Sequence, residues 1–228
     1  MWASRYGFNL AHPYCRKKLP DKEESPANGF SLRGEHGVPR SSLLLLSCLL
    51  SLHVFAVEPA KLADGARQQV GVTLAYDPVY RHIDYPGGDV PMETGVCTDV
   101  VIRALRLQGL DLQKAVHVDM AANFSAYPKH WGLSRPDRNI DHRRVPNLMT
   151  WFRRQGMALQ VSRDARDYRS GDIVTWDLGR GLTHIGIVSD RLSAAGEPLI
   201  LHNIGAGTRE EAILFRFTIT GHYRFPAG

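Results

Sequence analysis

Cysteine is scarce in this chain, which has three cysteines among its 228 residues. Cys15 and Cys48 lie in the N-terminal segment, and Cys97 is the only cysteine in residues 57–228. One thiol cannot form an internal disulfide, so this part of the chain is not a disulfide-stabilised scaffold. Cys97 is therefore either a buried small apolar residue or a candidate nucleophile.

An excess of one charge is also lacking over most of the chain. Residues 1–56 carry seven Lys or Arg against four Asp or Glu, and the remaining residues carry 21 against 19. A nucleic-acid-binding surface needs basic residues clustered on one face. We therefore expect no nucleic-acid partner.

The chain also lacks a long apolar run. Residues 41–56 are mostly apolar and follow Arg40, but they fall short of the roughly 20 apolar residues of a membrane-spanning helix. A basic flank, a short apolar core and a final small residue predict a signal peptide at 40–56. The alternative is an uncleaved membrane anchor. We expect an exported protein, periplasmic or secreted, with residues 1–39 as a disordered or over-long N-terminal extension.

Residues 57–228 read as one domain in which helices precede strands. Apolar spacing predicts helices at 60–76, 97–108 and 111–120 and from 146 to 156, and a long polar connection at 124–146. Short alternating segments predict strands at 173–176, 184–189, 199–204, 212–217 and 219–225. This order is typical of an α+β domain.

Three segments carry the candidate chemistry. Cys97 lies at a predicted helix start, where unpaired N–H groups and a partial positive charge favour a thiolate. His184 opens a predicted strand, and Gly186 leaves room beside its imidazole. On the next strand His202 and Asn203 face opposite ways, so only one can hold His184. An imidazole held by a third group can activate a cysteine.

These segments resemble the NlpC-type cysteine amidases and peptidases, which share a papain-like fold. The matching motifs are Tyr85-Pro86-Gly87-Gly88, Val96-Cys97-Thr98, Gly171-Asp172-Ile173-Val174, His184-Ile185-Gly186-Ile187 and Ile200-Leu201-His202. Residues 137–147 and 202–205 are closer still to the YijF-like family of exported bacterial proteins, a domain of unknown function.

The resemblance implies N-terminal helices packed on a small antiparallel sheet or half-barrel. It also implies amide or peptide-bond hydrolysis, with peptidoglycan stem peptides as the expected substrate. Cys97 would be the nucleophile, His184 the base and His202 the third member of the catalytic set, with Asn203 as its competitor. Val96-Cys97-Thr98-Asp99 replaces the usual Asp-Cys-Ser-Gly, so a catalytically silent binding module for wall peptide or a protein partner is the alternative.

Further polar residues are candidates for substrate contacts. Tyr85 could serve the substrate or the oxyanion. Asp141, His142, Arg143 and Arg144 could line a substrate groove, with the arginines pairing with substrate carboxylates. The alternative is that this polar segment hydrogen-bonds to itself. Its histidines and aspartates match no tight metal-ligand spacing, so we expect no metal and no cofactor.

Overall fold

The computed structural model describes residues 57–226, so the predicted extension at 1–39 and signal peptide at 40–56 lie outside the described residues. The helices are α1 (Pro59–Arg67), α2 (Cys97–Arg106), α3 (Leu112–Asn123) and α4 (Val145–Arg154). The strands are β1 (Ala75–Tyr76), β2 (Thr94–Gly95), β3 (Ala158–Leu159), β4 (Ile173–Asp177), β5 (Thr183–Leu192), β6 (Pro198–Asn203), β7 (Thr208–Glu211) and β8 (Thr218–Tyr223). No helix between residues 57 and 226 has the length and apolar character needed to cross a membrane.

Six strands form the main sheet, in the order β3-β8-β4-β5-β6-β7. Every recorded pairing in it is antiparallel. Strands β1 and β2 form a separate parallel pair that ends at Gly95, two residues before Cys97. With helices first and an antiparallel sheet after them, the predicted α+β class is confirmed.

The two faces of the sheet pack into two different apolar clusters, because successive side chains of a strand point to opposite faces. Ile185 and Ile187 on β5 pack with the helices, in a cluster that also contains Cys97. Trp176 on β4 and Val188 on β5 belong to the second cluster. Burial of each large aliphatic side chain contributes about 1.5–3 kcal/mol, so the register of β5 is strongly fixed.

The predicted helix at 60–76 is wrong beyond Arg67, where α1 ends. Leu62 in α1 is fully buried, whereas Leu74, in the part that is not helical, is 63% exposed. The chain turns at Gly71, whose φ of 77° lies in the left-handed region that favours glycine. It then enters β1.

The predicted strand at 212–217 is also wrong, because the strand lies earlier, at Thr208–Glu211. Ile213 and Leu214 are buried, but they lie in bend and turn structure. The Leu214 carbonyl accepts a 2.9 Å hydrogen bond from the Trp176 indole N–H. The apolar pattern at 212–217 thus marks a buried turn.

The predicted polar connection at 124–146 contains two short 3-10 turns, Phe124–Ala126 and Asp141–Arg143. It also hydrogen-bonds to itself. Asp137 accepts from the Asn139 backbone N–H at 3.0 Å, and Arg144 donates to the Asp141 carboxylate at 2.9 Å. The segment is therefore ordered by its own side chains.

Candidate active site

Cys97 is the first residue of α2, and a buried carboxylate fixes the helix start. Asp99 accepts a 2.7 Å hydrogen bond from the Val96 backbone N–H, which satisfies one of the donors that a helix start leaves unpaired. Both oxygens of Asp99 also accept from the Arg143 guanidinium at 2.9 Å. The cysteine is therefore held on a well-anchored turn.

The Cys97 sulfur lies beside β5. Its side chain is buried, and the Ile185 backbone N–H donates to Sγ. Strand N–H groups point within the sheet toward a neighbouring strand. Strands β5 and β6 are paired from Ile187, which lies opposite Leu201, to Leu192, which lies opposite Pro198. The sulfur therefore lies beside β5 just before the pairing with β6 begins. Its donor, the Ile185 N–H, belongs to the residue that follows His184.

The thiol is neutral in this structure. The pKa of Cys97 is raised from 9.0 to about 12, chiefly by burial and in smaller part by the nearby Asp99 carboxylate. Three backbone N–H groups lower the pKa of the thiol, namely those of Ile185, Thr98 and Cys97. Their combined effect is smaller than that of burial. The N–H groups of the helix start do favour the thiolate, as expected, but desolvation by burial outweighs them.

The structure brings His184 and His202 together. His184 Nε2 lies 3.1 Å from His202 Nδ1, and the side chains of both residues are buried. A Cβ atom added at Gly186 would lie 2.7 Å from Ile200 Cγ2 and 3.1 Å from His202 Cβ. The predicted room at Gly186 is therefore confirmed, because a larger residue would force the two strands apart.

His184 is a neutral imidazole in this setting. Burial first, and then the neighbouring His202, lower the pKa of His184 well below its usual value. Its ring also packs at a tilt against Trp176, with the centroids 5.8 Å apart. A neutral ring has one bare nitrogen that can accept a proton.

The Cys97 thiol and the two imidazoles make no hydrogen bond with each other in the described residues. Among residues 57–226, the hydrogen bonds of the site join His184 to His202 and the Ile185 N–H to the sulfur, and none joins Sγ to an imidazole nitrogen. Since His184 uses Nε2 for His202, Nδ1 is the nitrogen left for the thiol.

Asn203 points away from the histidines. Its side-chain N–H donates to the Gly95 carbonyl at 3.1 Å and to the Ala75 carbonyl at 3.4 Å. Its oxygen accepts from the Gly205 backbone N–H at 3.2 Å. Asn203 thus ties β6 to the β1–β2 pair beside Cys97, while His202 is the one that contacts His184.

Glu211 is a site residue that the sequence reasoning missed. Its Oε2 lies 3.3 Å from His202 Nε2. The contact is too bent for a well-formed hydrogen bond, and His202 Nε2 has no other hydrogen-bond partner among the described residues. Glu211 ends β7, whose sequence Thr208–Glu211 is too polar to suggest a strand. The available signal was positional, since a hairpin after His202 places a residue diagonally across from it.

Tyr85 lies against residues outside this cluster. Its ring meets the edge of His117 with the centroids 5.1 Å apart, and the Arg138 guanidinium lies 5.5 Å from its centroid. A role of Tyr85 toward substrate or oxyanion stays a prediction.

The residues predicted to line a substrate groove are engaged internally. Arg143 pairs with Asp99, and Arg144 pairs with Asp141 at 2.9 Å. Burial raises the pKa of Asp141 to about 6, despite Arg144. His142 is buried as well. Their contact with substrate stays a prediction. Within residues 57–226, no group of three or more His, Cys, Asp or Glu side chains is arranged to hold a metal.

An α+β domain with a buried cysteine at a helix start and a buried histidine pair on two neighbouring strands defines the class. The chain matches the family described as Domain of unknown function (DUF1287) over residues 63–225, and it belongs to that family. It is 55% identical over 201 residues to "Uncharacterized protein YijF" of Escherichia coli (strain K12), covering 82% of this chain and 98% of that protein. The YijF-like resemblance is thereby confirmed.

Two NlpC proteins of Trichomonas vaginalis are among the similar solved structures. NlpC1 has a TM-score of 0.38 at 14% identity, with 73% of this chain and 44% of that chain covered. NlpC2 has a TM-score of 0.36 at 13% identity, with 75% and 50% covered. The chain thus spans half of these proteins or less. TM-scores below 0.5 carry no argument about fold, so the papain-like architecture stays a prediction.

Proposed function

We propose that this protein is an exported cysteine hydrolase of papain-like, NlpC-type architecture that cleaves an amide or peptide bond. The observation that carries the proposal is the His184 Nε2 to His202 Nδ1 contact of 3.1 Å, formed beside a sulfur that accepts from the amide next to His184. A nucleophile, a base and a group that orients the base are the parts that covalent acyl transfer requires.

In the proposed reaction, His184 Nδ1 removes the Cys97 thiol proton while Sγ attacks the carbonyl carbon of the scissile amide. The carbonyl electrons move onto oxygen, and the Cys97 backbone N–H at the start of α2 helps to bind that oxyanion. The imidazolium returns the proton to the departing amine, which leaves a thioester on Cys97. Water, deprotonated by His184, then releases the acyl group and restores the thiol.

A neutral resting thiol makes this a general-base mechanism. The thiol of Cys97 has a raised pKa and His184 a lowered one, so both groups stay neutral at neutral pH. Proton transfer then accompanies attack on the substrate. Because Cys97 is only 4% exposed, substrate binding must be coupled to movement of His184 or the residues around it.

We propose wall peptides as the substrate class. The predicted signal peptide at 40–56 would send the domain to the compartment where peptidoglycan lies, and stem peptides offer amide bonds flanked by carboxylates.

The test is hydrolysis of purified muropeptides by the protein, followed by mass spectrometry. We expect new peptide fragments with the wild type. Cys97→Ser and His184→Ala should each reduce turnover by at least 10³-fold, because residues that act as a catalytic unit fail together. His130→Ala is the matched control for His184→Ala, since His130 is exposed, and it should leave turnover unchanged. Full turnover by folded Cys97→Ser would rule out the proposal.

A second candidate is a catalytically silent module that binds wall peptide. The buried neutral thiol, which has no hydrogen bond to an imidazole in the described residues, favours it. This candidate predicts no fragments from the wild type, together with muropeptide binding that Cys97→Ser leaves unchanged. Calorimetric titration of both proteins separates the two candidates.

A further inference from the structure

Glu211 contacts His202 at the ring nitrogen that does not face His184. In the register of β6 and β7, His202 pairs with Arg209 and Ile200 with Glu211. Glu211 is thus diagonal to His202, a position from which long side chains reach across. Its Oε2 lies 3.3 Å from His202 Nε2. The buried His202 has a contact on each ring nitrogen, one with Glu211 and one with His184.

Glu211, His202 and His184 thus contact one another in sequence. The function of this chain of contacts depends on which ring nitrogens carry the protons. A neutral imidazole carries a proton on one nitrogen and a lone pair on the other. When two neutral rings meet nitrogen to nitrogen, one must donate and the other accept. The 3.1 Å contact between His184 and His202 is equally compatible with either direction. Only a third group can decide.

We propose that Glu211 is a positioning residue that sets the proton positions of both histidines, so that His184 presents a bare Nδ1 to Cys97. A carboxylate only accepts hydrogen bonds, so it favours the proton on His202 Nε2. His202 Nδ1 then accepts from His184 Nε2–H, and the lone pair of His184 falls on Nδ1. The use of that lone pair rests on the hydrolase function proposed above, but the proton positions do not.

The surroundings of Glu211 keep it in the accepting form. The contact with His202 lowers the pKa of Glu211, and this effect outweighs burial, which raises it. Arg209 and Arg216 contribute in the same direction as His202. The side chain of Glu211 is 27% exposed while that of His202 is fully buried, so the carboxylate stays hydrated as it meets the ring.

The experiment is heteronuclear NMR of the imidazole nitrogens, at about pH 8, where ordinary histidines are neutral. In the wild type we expect the proton on Nε2 of both His184 and His202. Glu211→Ala removes the acceptor, and Glu211→Gln offers a donor as well as an acceptor. Either variant should give a mixture of the two proton arrangements. Should one variant fail to fold, the other decides.

Glu210→Gln is the matched control, because Glu210 is the neighbouring strand residue and pairs with Arg67 and Arg191 instead. It should keep the wild-type nitrogen signals. Unchanged signals in the Glu211 variants, or a wild-type His202 protonated on both nitrogens, would overturn the proposal.

Turnover gives a second measurement. If the protein hydrolyses muropeptides, Glu211→Ala should lower kcat by roughly tenfold or more at an unchanged KM, as loss of the correct imidazole tautomer does in catalytic triads. An unchanged kcat would contradict the positioning role. A wild type without any turnover overturns the hydrolase proposal and leaves the NMR result standing, so the two failures are distinguishable.

Discussion

At Cys97 two effects on the thiol oppose each other, and their magnitudes decide the outcome. A rise of the pKa from 9.0 to about 12 corresponds to roughly 4 kcal/mol against the thiolate, at ~1.4 kcal/mol per pH unit. A helix N-terminus stabilises a negative group by about 0.3–1 kcal/mol, or ~2 kcal/mol in favourable partly buried positions. Burial therefore prevails, and any nucleophilic thiolate must be formed with substrate present.

This gives a prediction for thiol reactivity in the free protein. In a Cys15→Ser, Cys48→Ser background, alkylation of Cys97 should be far slower than that of a free thiol between about pH 7 and pH 9, because the thiolate is the reactive species. The rate should recover fully in denaturant. The measurement is the alkylation rate as a function of pH. A titration midpoint below about pH 8 would contradict the prediction.

At the scale of elements, α2 depends on one buried ion pair. Asp99 accepts hydrogen bonds from the Val96 N–H and from Nε and Nη2 of Arg143. The side chain of Asp99 is only 4% exposed and that of Arg143 only 3%. Asp99→Asn keeps the shape but leaves a buried guanidinium without its counter-charge. We expect it to lower the free energy of unfolding by about 3–5 kcal/mol, measured by urea denaturation.

The exposed pair of Lys61 with Glu58, whose side chains are 64% and 60% exposed, provides the control. Lys61→Gln should change the free energy of unfolding by less than about 0.5 kcal/mol. Replacing Asp99 and Arg143 together by Leu and Met should recover much of the loss, since no charge is then left unpaired. An Asp99→Asn variant as stable as the wild type would show that α2 does not need this pair.

Elements whose signals are local could be predicted from the sequence. The start of α2 at Cys97 follows from apolar spacing, and β5 from the alternation around Ile185 and Ile187. The strand β7 could not, because its residues are polar and its strand partner is β6, whose register the sequence does not give. The same distinction holds in the site. Motifs pointed to His184 and His202, whereas the contact of Glu211 depends on a register that the sequence did not show.

For the whole molecule, buried ionisable groups make stability depend on pH. The pKa of His142 is lowered to about 3 by burial first and then by Arg143, and that of His184 is lowered as well. Below about pH 6.5 the unfolded chain binds protons at these histidines that the folded chain does not bind, so the free energy of unfolding decreases as the pH is lowered. Asp141, with its pKa raised to about 6, acts oppositely between about pH 4 and pH 6.

Two histidines outweigh one aspartate, so the free energy of unfolding should rise from about pH 5 to pH 7.5. His142 contributes about 2 kcal/mol over the range from pH 6.5 to pH 5, a large share of the ~5–15 kcal/mol typical of a domain. His142→Gln should therefore reduce the difference between the two pH values by about 2 kcal/mol. Urea denaturation at both pH values is the measurement, and His130→Gln, at an exposed position, is the control. If His142→Gln retains the wild-type pH dependence, the buried imidazole is not a source of the acid sensitivity.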